Sequence, residues 1–149
     1  MEAVVVYESN FGNTRQIAEA ISRGIGAESH AVEAEKFNAG HLKPGSLLVV
    51  GSPINAWRPL PEVAGWLSAL APGSLAGIRA ASFDTRVKSV FHGDAAKKIA
   101  KGLEAAGAEQ AAEPTWYYVE GKEGPLLDGE LERAERWGAE LAAQAVREA

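Results

Sequence analysis

The chain has 149 residues, 46% of them hydrophobic, which is enough to bury the core of one domain spanning residues 1–149. It has no cysteine, and this excludes disulfides, a thiol nucleophile and any cysteine-ligated metal or iron–sulfur cluster. The formal net charge of -5 argues against a nucleic-acid partner, and the three scattered histidines lack the spacing of a metal site.

The amino-terminal residues lead almost directly into an apolar strand. No basic segment precedes that strand, no long apolar run follows it, and no small-residue cleavage site is present. We therefore expect neither a signal peptide nor a membrane span, and we expect a cytoplasmic protein.

The first predicted strand is the β-branched run at residues 3–8, which is typical of a central strand buried on both faces. A helix is predicted over residues 14–25, ended by Gly24 and Gly26. The loop between them carries hydroxyl and amide donors and a glycine, and the helix that follows directs its free N–H groups and its dipole toward that loop. Such a loop can hold a phosphate without a cationic side chain.

Two observations limit this interpretation of the loop. Taken alone, its residues fit equally well a helix cap at Thr14 or Asn13 with a tight turn at Gly12. The loop also lacks the lysine of a nucleoside-triphosphate loop and the three-glycine spacing of a dinucleotide fingerprint, which counts against both of those nucleotide classes.

The next elements alternate between short strands and helices. Residues 29–34 predict an edge strand, and a polar stretch over 36–45 contains at most a short helical turn. The second strongly apolar run, 47–50, ends in a long loop over 51–59, and a helix follows over 61–70.

The second half continues the alternation. It predicts two further strands and two further helices, with a turn-rich segment before the last helix: a strand at 79–83, a loop at 84–93, a helix capped by Asp94, a strand at 115–120, turns at 121–128 and a helix at 129–147.

This order of elements predicts an α/β fold with a single doubly wound, five-stranded parallel sheet and right-handed crossovers. Three polar, irregular loops follow the first, third and fourth strands. Because ligands of open α/β sheets bind outside the carboxyl ends of the strands, we expect the functional site there.

The residues of two of these loops resemble the flavodoxin family, short-chain type. Ser9-Asn10-Phe11-Gly12-Asn13-Thr14 fits the phosphate loop of the family, and Gly51-Ser52-Pro53 follows the third strand as it does there. The resemblance covers essentially the whole chain in element order and length. It implies the strand order 2-1-3-4-5 and flavin mononucleotide (FMN) at the switch between strands 1 and 3.

The resemblance also implies where the cofactor contacts lie. The phosphate would be wrapped by the loop from Ser9 to Thr14, and the isoalloxazine ring would lie between the loop from Ser52 to Arg58 and the loop beginning at Asp84. The cofactor-binding residues expected on this basis are Ser9, Asn10, Phe11, Gly12, Asn13, Thr14, Ser52, Pro53, Ile54, Asn55, Ala56, Trp57, Asp84, Thr85 and Arg86.

Trp57 is the residue we expect to stack on the flavin, because an indole offers a large flat face at the tip of its loop. The alternatives are burial against the helix at Pro61 or a surface role as a partner anchor. Trp66, Trp116 and Trp137 fall on inner faces of predicted elements and are expected in the core.

Two departures from the family pattern bear on the flavin. The third loop has no tyrosine to supply a second stacking ring, so that face is covered by aliphatic or guanidinium groups or is open. Arg58, Arg86, Lys88 and His92 fall in the flavin-side loops, with Asp84 as the nearby acid. Since a cation stabilises an anionic reduced flavin, we expect a less negative reduction potential than is usual in the family.

The resulting hypothesis is an FMN-binding electron carrier that passes electrons between a reductase and an acceptor protein, monomeric and without a catalytic acid, base or nucleophile of its own. One alternative is a flavodoxin-like FMN oxidoreductase of the quinone or protoporphyrinogen type. Another is a flavin-free binding module. A phosphoacceptor receiver domain is disfavoured because Glu8, Ser52 and Lys122 do not supply its acidic cluster and lysine.

Overall fold

The computed structural model describes residues 2–54, 57–89 and 93–148. Strands and helices alternate along these residues, with two 3₁₀ turns, Ala34–Lys36 and Ala39–His41, after the second strand. The elements in chain order are β1 (Ala3–Tyr7), α1 (Asn13–Ile25), β2 (Ser29–Glu33), β3 (Leu47–Pro53), α2 (Pro61–Ala69), β4 (Arg79–Val87), α3 (Ala95–Ala105), β5 (Glu109–Gln110), β6 (Thr115–Val119) and α4 (Glu130–Glu148).

The described strands form a parallel sheet in the order β2-β1-β3-β4-β5, with β6 also paired to β4. This confirms the predicted fold class and strand order. The expected number of strands was wrong, because two segments share the fifth position: β5 pairs with Arg79 and Ala80, and β6 pairs with the residues from Phe83 to Val87. Since β5 is a polar, exposed pair of residues, no apolar run reveals it in the sequence.

Helices cover both faces of the sheet, and strand residues alternate between two cores. Val5 and Val49 belong to the core that includes residues of α1 and α4. Val4 and Val50 belong to the core that includes residues of α2 and α3. Because successive side chains of a strand point to opposite faces, the uninterrupted apolar runs of β1 and β3 fill both cores at once.

Two glycines allow α1 and α4 to cross closely. A Cβ at Gly24 would overlap the carbonyl oxygen of Glu135, and a Cβ at Gly138 would overlap that of Ile21. The prediction that Gly24 helps to end the first helix was therefore wrong, since α1 continues through it to Ile25 and ends at Gly26. Gly24 is needed for contact between helices, which a local pattern does not reveal.

Strand β4 continues four residues beyond its predicted end at Phe83. Asp84, Thr85 and Arg86 are buried strand residues, whereas the sequence placed all three in a loop. Their polarity was misleading because each finds a polar partner inside the protein, which makes burial possible.

The outer edge of β6 is closed by side chains of α4. The N–H of Tyr118 donates to Glu130 Oε2 at 2.6 Å, and Arg133 donates to the carbonyl oxygen of Trp116. Trp116 is 38% exposed, so its predicted place in the core was wrong, because β6 lies at the sheet edge. Trp66 and Trp137 are half-buried against the two cores.

None of the helices in the described ranges combines the length and the hydropathy needed to span a bilayer.

Candidate functional site

The loop between β1 and α1 leaves amide donors available at the start of a helix. Gly12, with φ at 90°, is the N-cap, and no side chain caps the helix at this position. Ser9 Oγ accepts the N–H of Gly12 at 3.0 Å and so holds the turn closed. The predicted alternative, a cap at Thr14 or Asn13, is not observed, because both residues lie inside α1. The first-turn N–H groups are therefore available to hydrogen-bond an anion.

A cavity of about 250 Å³ lies against this loop, at the carboxyl ends of β1, β3, β4 and β6. The described residues that line it include none that is acidic. They are Ser9, Asn10, Phe11, Asn13, Thr14, Pro53, Ile54, Leu60, Thr85, Arg86, Val87, Ser89, Val119 and Lys122. We call this space the anion cavity.

The structure brings together most of the residues predicted from the sequence. Nine of them line the anion cavity: Ser9, Asn10, Phe11, Asn13, Thr14, Pro53, Ile54, Thr85 and Arg86. Gly12 caps the helix beside it, while Ser52 and Asp84 are buried outside its lining. Trp57 is 56% exposed and is not part of the lining. Asn55 and Ala56 lie outside the described residues.

Ser52 shapes the second loop from within. Its hydroxyl donates to the carbonyl oxygen of Pro53 at 2.8 Å and accepts the N–H of Leu60 at 2.9 Å. The second bond ties the end of β3 to the residue before α2. Leu60 lines the cavity, although it is not among the cofactor-binding residues predicted from the sequence.

A buried pair of hydroxyls connects the phosphate loop to β4. Thr14 Oγ1 and Thr85 Oγ1 are 2.8 Å apart, and both residues are almost fully buried. Both also line the anion cavity. Each hydroxyl has one donor hydrogen and can accept more than one bond, so the pair retains capacity to bind a ligand oxygen.

Arg86 lies in a buried ionic cluster. Its guanidinium donates to both carboxylate oxygens of Asp84, at 2.8 and 2.6 Å, and lies 3.4 Å from Asp94. Asp84 also accepts the N–H of Ala96 at the start of α3, and the Arg86 guanidinium lies 4.7 Å from the ring centroid of Trp116. Burial raises the pKa of Asp84, although the hydrogen bonds from Arg86 and from the N–H of Ala96 lower it. We take the pair as ionised, because a bidentate contact is the geometry of a carboxylate and a guanidinium.

This cluster removes Arg86 from the charges expected to make the flavin rim cationic. Arg86 is neutralised by Asp84 and Asp94, so its charge is largely compensated. Arg58 and Lys88 are exposed and do not line the anion cavity, and the ammonium of Lys88 lies 5.4 Å from the ring centroid of Tyr118. His92 lies outside the described residues. The less negative reduction potential therefore loses its support from Arg86 and stays a prediction.

A hairpin after β6 brings a residue that the sequence had not placed at the site. Val119 pairs with Leu126 in an antiparallel bridge, Glu120 N–H donates to Pro125, and Gly124 N–H closes the turn on Gly121. We call residues 118–127 the β6 hairpin. Lys122, at its tip, lines the anion cavity.

The other lining residues missed from the sequence are Leu60, Val87, Ser89 and Val119. The turn residues at 121–128 were visible in the sequence, but nothing local indicated that they fold back toward residues 9–14.

An acidic groove of about 400 Å³ lies on the other side of Ser9 and Asn10. Its lining contains four glutamates and one arginine: Glu8, Glu33, Glu35, Glu62 and Arg15. Glu8 Oε1 accepts the N–H of Val63 in the first turn of α2 at 2.9 Å. Burial raises the pKa of Glu8, although the hydrogen bonds from backbone N–H groups oppose the shift.

The described residues contain no group of three or more His, Asp or Glu arranged to hold a metal ion. What the anion cavity offers is a set of hydroxyl, amide and N–H donors at one end and apolar walls from Ile54, Leu60 and Val87. This donor set fits a phosphorylated ligand that carries a largely apolar body.

An open parallel sheet whose first helix begins without a side-chain cap defines a doubly wound α/β protein, a class that binds its ligands at the carboxyl ends of the strands. The sequence model of the flavodoxin family matches residues 5–137, and the chain belongs to that family. A search of curated protein sequences gave no significant match.

Solved structures share the fold at low sequence identity. Oxidised flavodoxin 1 from Bacillus cereus superposes with a TM-score of 0.79 and 18% identity, covering 100% of this chain and 99% of that one. A flavodoxin from the domain Archaea gives 0.74 and 22%, covering 98% and 99%. Rubredoxin oxygen:oxidoreductase from Desulfovibrio gigas gives 0.74 and 21%, covering 99% of this chain and 36% of that one.

Membership of the family gives the cofactor and the general role. The cofactor is FMN, as the resemblance implied. At the level of the family, the chain is an FMN-binding electron carrier, and flavodoxins transfer electrons to partner proteins.

Proposed function

We propose that this protein binds FMN in the anion cavity and carries electrons between a reductase and an acceptor protein. The observation that carries the proposal is the uncapped start of α1, which lies beside a cavity lined by Ser9, Asn10 and Thr14 and by no acidic side chain among the described residues. Such a lining accepts a phosphate dianion, whereas carboxylates would repel it.

The residues of the chain bind and orient the cofactor. The hydroxyls of Ser9 and Thr14, the amides of Asn10 and Asn13 and the first N–H groups of α1 would hold the phosphate. When bound, FMN supplies the redox chemistry by accepting and releasing electrons. The walls at Pro53, Ile54 and Val87 would cover the ring and exclude water from part of it.

Trp57 is proposed as the aromatic ring that covers one flavin face. The residue is 56% exposed, and its carbonyl oxygen accepts a hydrogen bond from the Lys98 ammonium at 2.8 Å. An exposed indole gains contact area when a flat ligand arrives. Asn55 and Ala56 are proposed to exchange hydrogen bonds with the ring when it takes up a proton.

The Trp57 contact can be measured by titrating Trp57→Ala and Trp57→Phe with FMN and with riboflavin. Trp57→Ala should weaken both ligands alike, by roughly tenfold, because stacking acts on the ring and not on the phosphate. Trp57→Phe should retain most of the affinity. Unchanged affinity for both ligands in Trp57→Ala would assign Trp57 to a surface role instead.

We also propose that residues 1–149 act as one domain, that the protein is a cytoplasmic monomer, and that it has neither its own substrate nor a nucleic-acid partner. Size-exclusion chromatography with light scattering tests the monomer. The redox assay below tests whether the protein has its own substrate.

The redox assignment is tested on the purified protein with FMN. We expect a yellow protein with quenched flavin fluorescence that accepts electrons from NADPH only when a flavodoxin reductase is added, and then reduces a one-electron acceptor such as cytochrome c. Direct oxidation of NADPH by a quinone without reductase would instead indicate an FMN oxidoreductase. Failure to bind FMN would indicate a flavin-free binding module.

A further inference from the structure

Lys122 is a cation that the tertiary structure brings to the lining of the anion cavity. It stands 108 residues after Thr14 in the chain, yet both line the same cavity. Its ammonium makes no ion pair or hydrogen bond with another described residue. The sequence had predicted a phosphate loop that holds its ligand without a cation.

The position of Lys122 is fixed by the β6 hairpin. Leu127 N–H donates to Tyr118 at 3.0 Å, Glu120 N–H donates to Pro125 at 2.8 Å, and Gly124 N–H donates to Gly121 at 3.0 Å. Three successive backbone bonds therefore order the segment up to its tip. A lysine on such a turn loses less backbone entropy on binding than one on an unpaired loop.

A close contact locates the tip beside the phosphate loop. A Cβ at Gly124 would lie 2.6 Å from Asn13 Oδ1 and 2.7 Å from Nδ2, so the backbone at Gly124 packs directly on the Asn13 amide. Asn13 is the first residue of α1 and is 8% exposed. The hairpin thus meets the cavity where the helix N-terminus lies.

Among the described residues that line the cavity, Lys122 and Arg86 are the cations, and their surroundings differ. Arg86 also lines the cavity, but its guanidinium is already bonded to Asp84 and Asp94. The lining residues include no carboxylate that would compete for Lys122. Within the lining, an incoming phosphate therefore meets no competing carboxylate at this lysine.

We propose that Lys122 pairs with the phosphate of the bound flavin nucleotide and so makes the site prefer FMN over riboflavin. This inference rests on the proposed function, because it requires that the anion cavity bind the flavin. Lys122 is exposed, so water and salt screen the pair and its contribution is modest.

The test compares Lys122→Met with the wild-type protein in titrations with FMN and riboflavin, which share a ring and differ in the phosphate. We expect Lys122→Met to weaken FMN by roughly two- to fivefold and to leave riboflavin unchanged. Lys122→Arg should keep most of the FMN affinity. Raising the salt concentration should weaken FMN more in the wild type than in Lys122→Met.

Lys43→Met is the matched control, because Lys43 precedes β3 and so lies at the opposite end of the sheet from the cavity. It removes the same charge from the whole protein and should leave both affinities unchanged. Equal thermal unfolding of the apo forms checks that Lys122→Met folds normally.

Two results would overturn the inference: an unchanged affinity for FMN in Lys122→Met, or an equal loss of affinity for FMN and riboflavin. Both leave FMN binding by the wild type intact. A wild-type protein that binds neither flavin would contradict the proposed function itself, and the inference with it.

Discussion

Two concave surfaces share Ser9 and Asn10 and differ in charge. The anion cavity on one side is lined by hydroxyls, amides, Arg86 and Lys122, without an acidic side chain among the described residues. The acidic groove on the other side is larger and contains four glutamates. The same short segment of backbone therefore separates a surface that attracts phosphate from one that repels it.

The difference shows that composition does not decide where an anion binds. The chain has a net charge of -5, and yet the lining of the anion cavity carries no acid among the described residues. Because Coulomb interactions weaken with distance and with screening, the groups within a few ångström of the phosphate outweigh the net charge. Substitutions on the two sides should accordingly have unequal effects.

The largest effect on FMN affinity is expected from a substitution at the contact between Gly124 and Asn13. Gly124→Ala would place its Cβ against the Asn13 amide at a backbone φ of 103°, which strains the turn and displaces either partner. We expect FMN affinity to fall by at least about tenfold, measured by fluorescence titration.

Gly129→Ala is the control for this substitution, since Gly129 has φ at 86° but no atom within 4 Å of the added Cβ. It introduces backbone strain without the clash at Asn13. Equal loss of FMN affinity in both variants would show that the contact with Asn13 does not matter.

Removing one hydroxyl of the Thr14 and Thr85 pair should have the next largest effect. Thr14→Val leaves the Thr85 hydroxyl buried without its partner, which costs about 1–3 kcal/mol of the free energy of unfolding. The double variant Thr14→Val/Thr85→Val should recover most of that stability, as measured by urea unfolding of the apoprotein.

FMN affinity should separate the two roles of Thr14. It should stay reduced in the double variant, because the phosphate has still lost a donor. Recovery of affinity together with stability would mean that Thr14 acts only through the fold.

A smaller effect is expected when the charge pattern is reversed. Asn10→Asp adds a carboxylate to the lining of the anion cavity and should weaken FMN about tenfold while sparing riboflavin. Glu35→Gln removes a carboxylate from the acidic groove and should change FMN affinity less than twofold, since that surface faces away from the phosphate. Equal and opposite changes would mean that the two surfaces act as one electrostatic site.

The smallest effect concerns the pH dependence of stability in the acidic groove. Burial raises the pKa of Glu8 in the folded protein, so folding favours its protonated form. The ordinary pKa of glutamate is about 4.3, and the pKa of Glu8 in the folded protein lies above it. As the pH rises through this interval, the free energy of unfolding of the wild type should fall relative to that of Glu8→Gln. Urea unfolding of both proteins across this pH interval measures the difference. A wild type that gains stability relative to Glu8→Gln as the pH rises would contradict the raised pKa of Glu8.

Apolar periodicity was sufficient to predict most of the fold. The runs at 3–8 and 47–50 identified β1 and β3, because a strand buried on both faces must be apolar throughout. The prediction failed at β5, which is too short and polar, and at the end of β4, where buried polar residues resemble a loop. The two failures have different causes: β5 is exposed and so carries no apolar run, whereas the buried polar residues of β4 look the same in sequence as polar residues in water.

The candidate site was predictable where its residues are adjacent in the chain. Residues 9–14 carry a local motif, and most of them line the anion cavity. Lys122 and Thr85 act beside them only because β4 and the β6 hairpin end at the same edge of the sheet. The sequence predicts that Trp57 stacks on the flavin. Trp57 is exposed in the structure, and its role stays a prediction.

The sequence by itself determined the parallel α/β sheet, the phosphate loop and the family, because apolar runs and a six-residue motif are local properties of a chain. Only the tertiary structure decided which charges meet the ligand. It paired Arg86 with Asp84, left Lys122 available and separated the glutamates onto another surface. Interactions between charges depend on distance in space, and the order of residues does not fix that distance until the chain has folded.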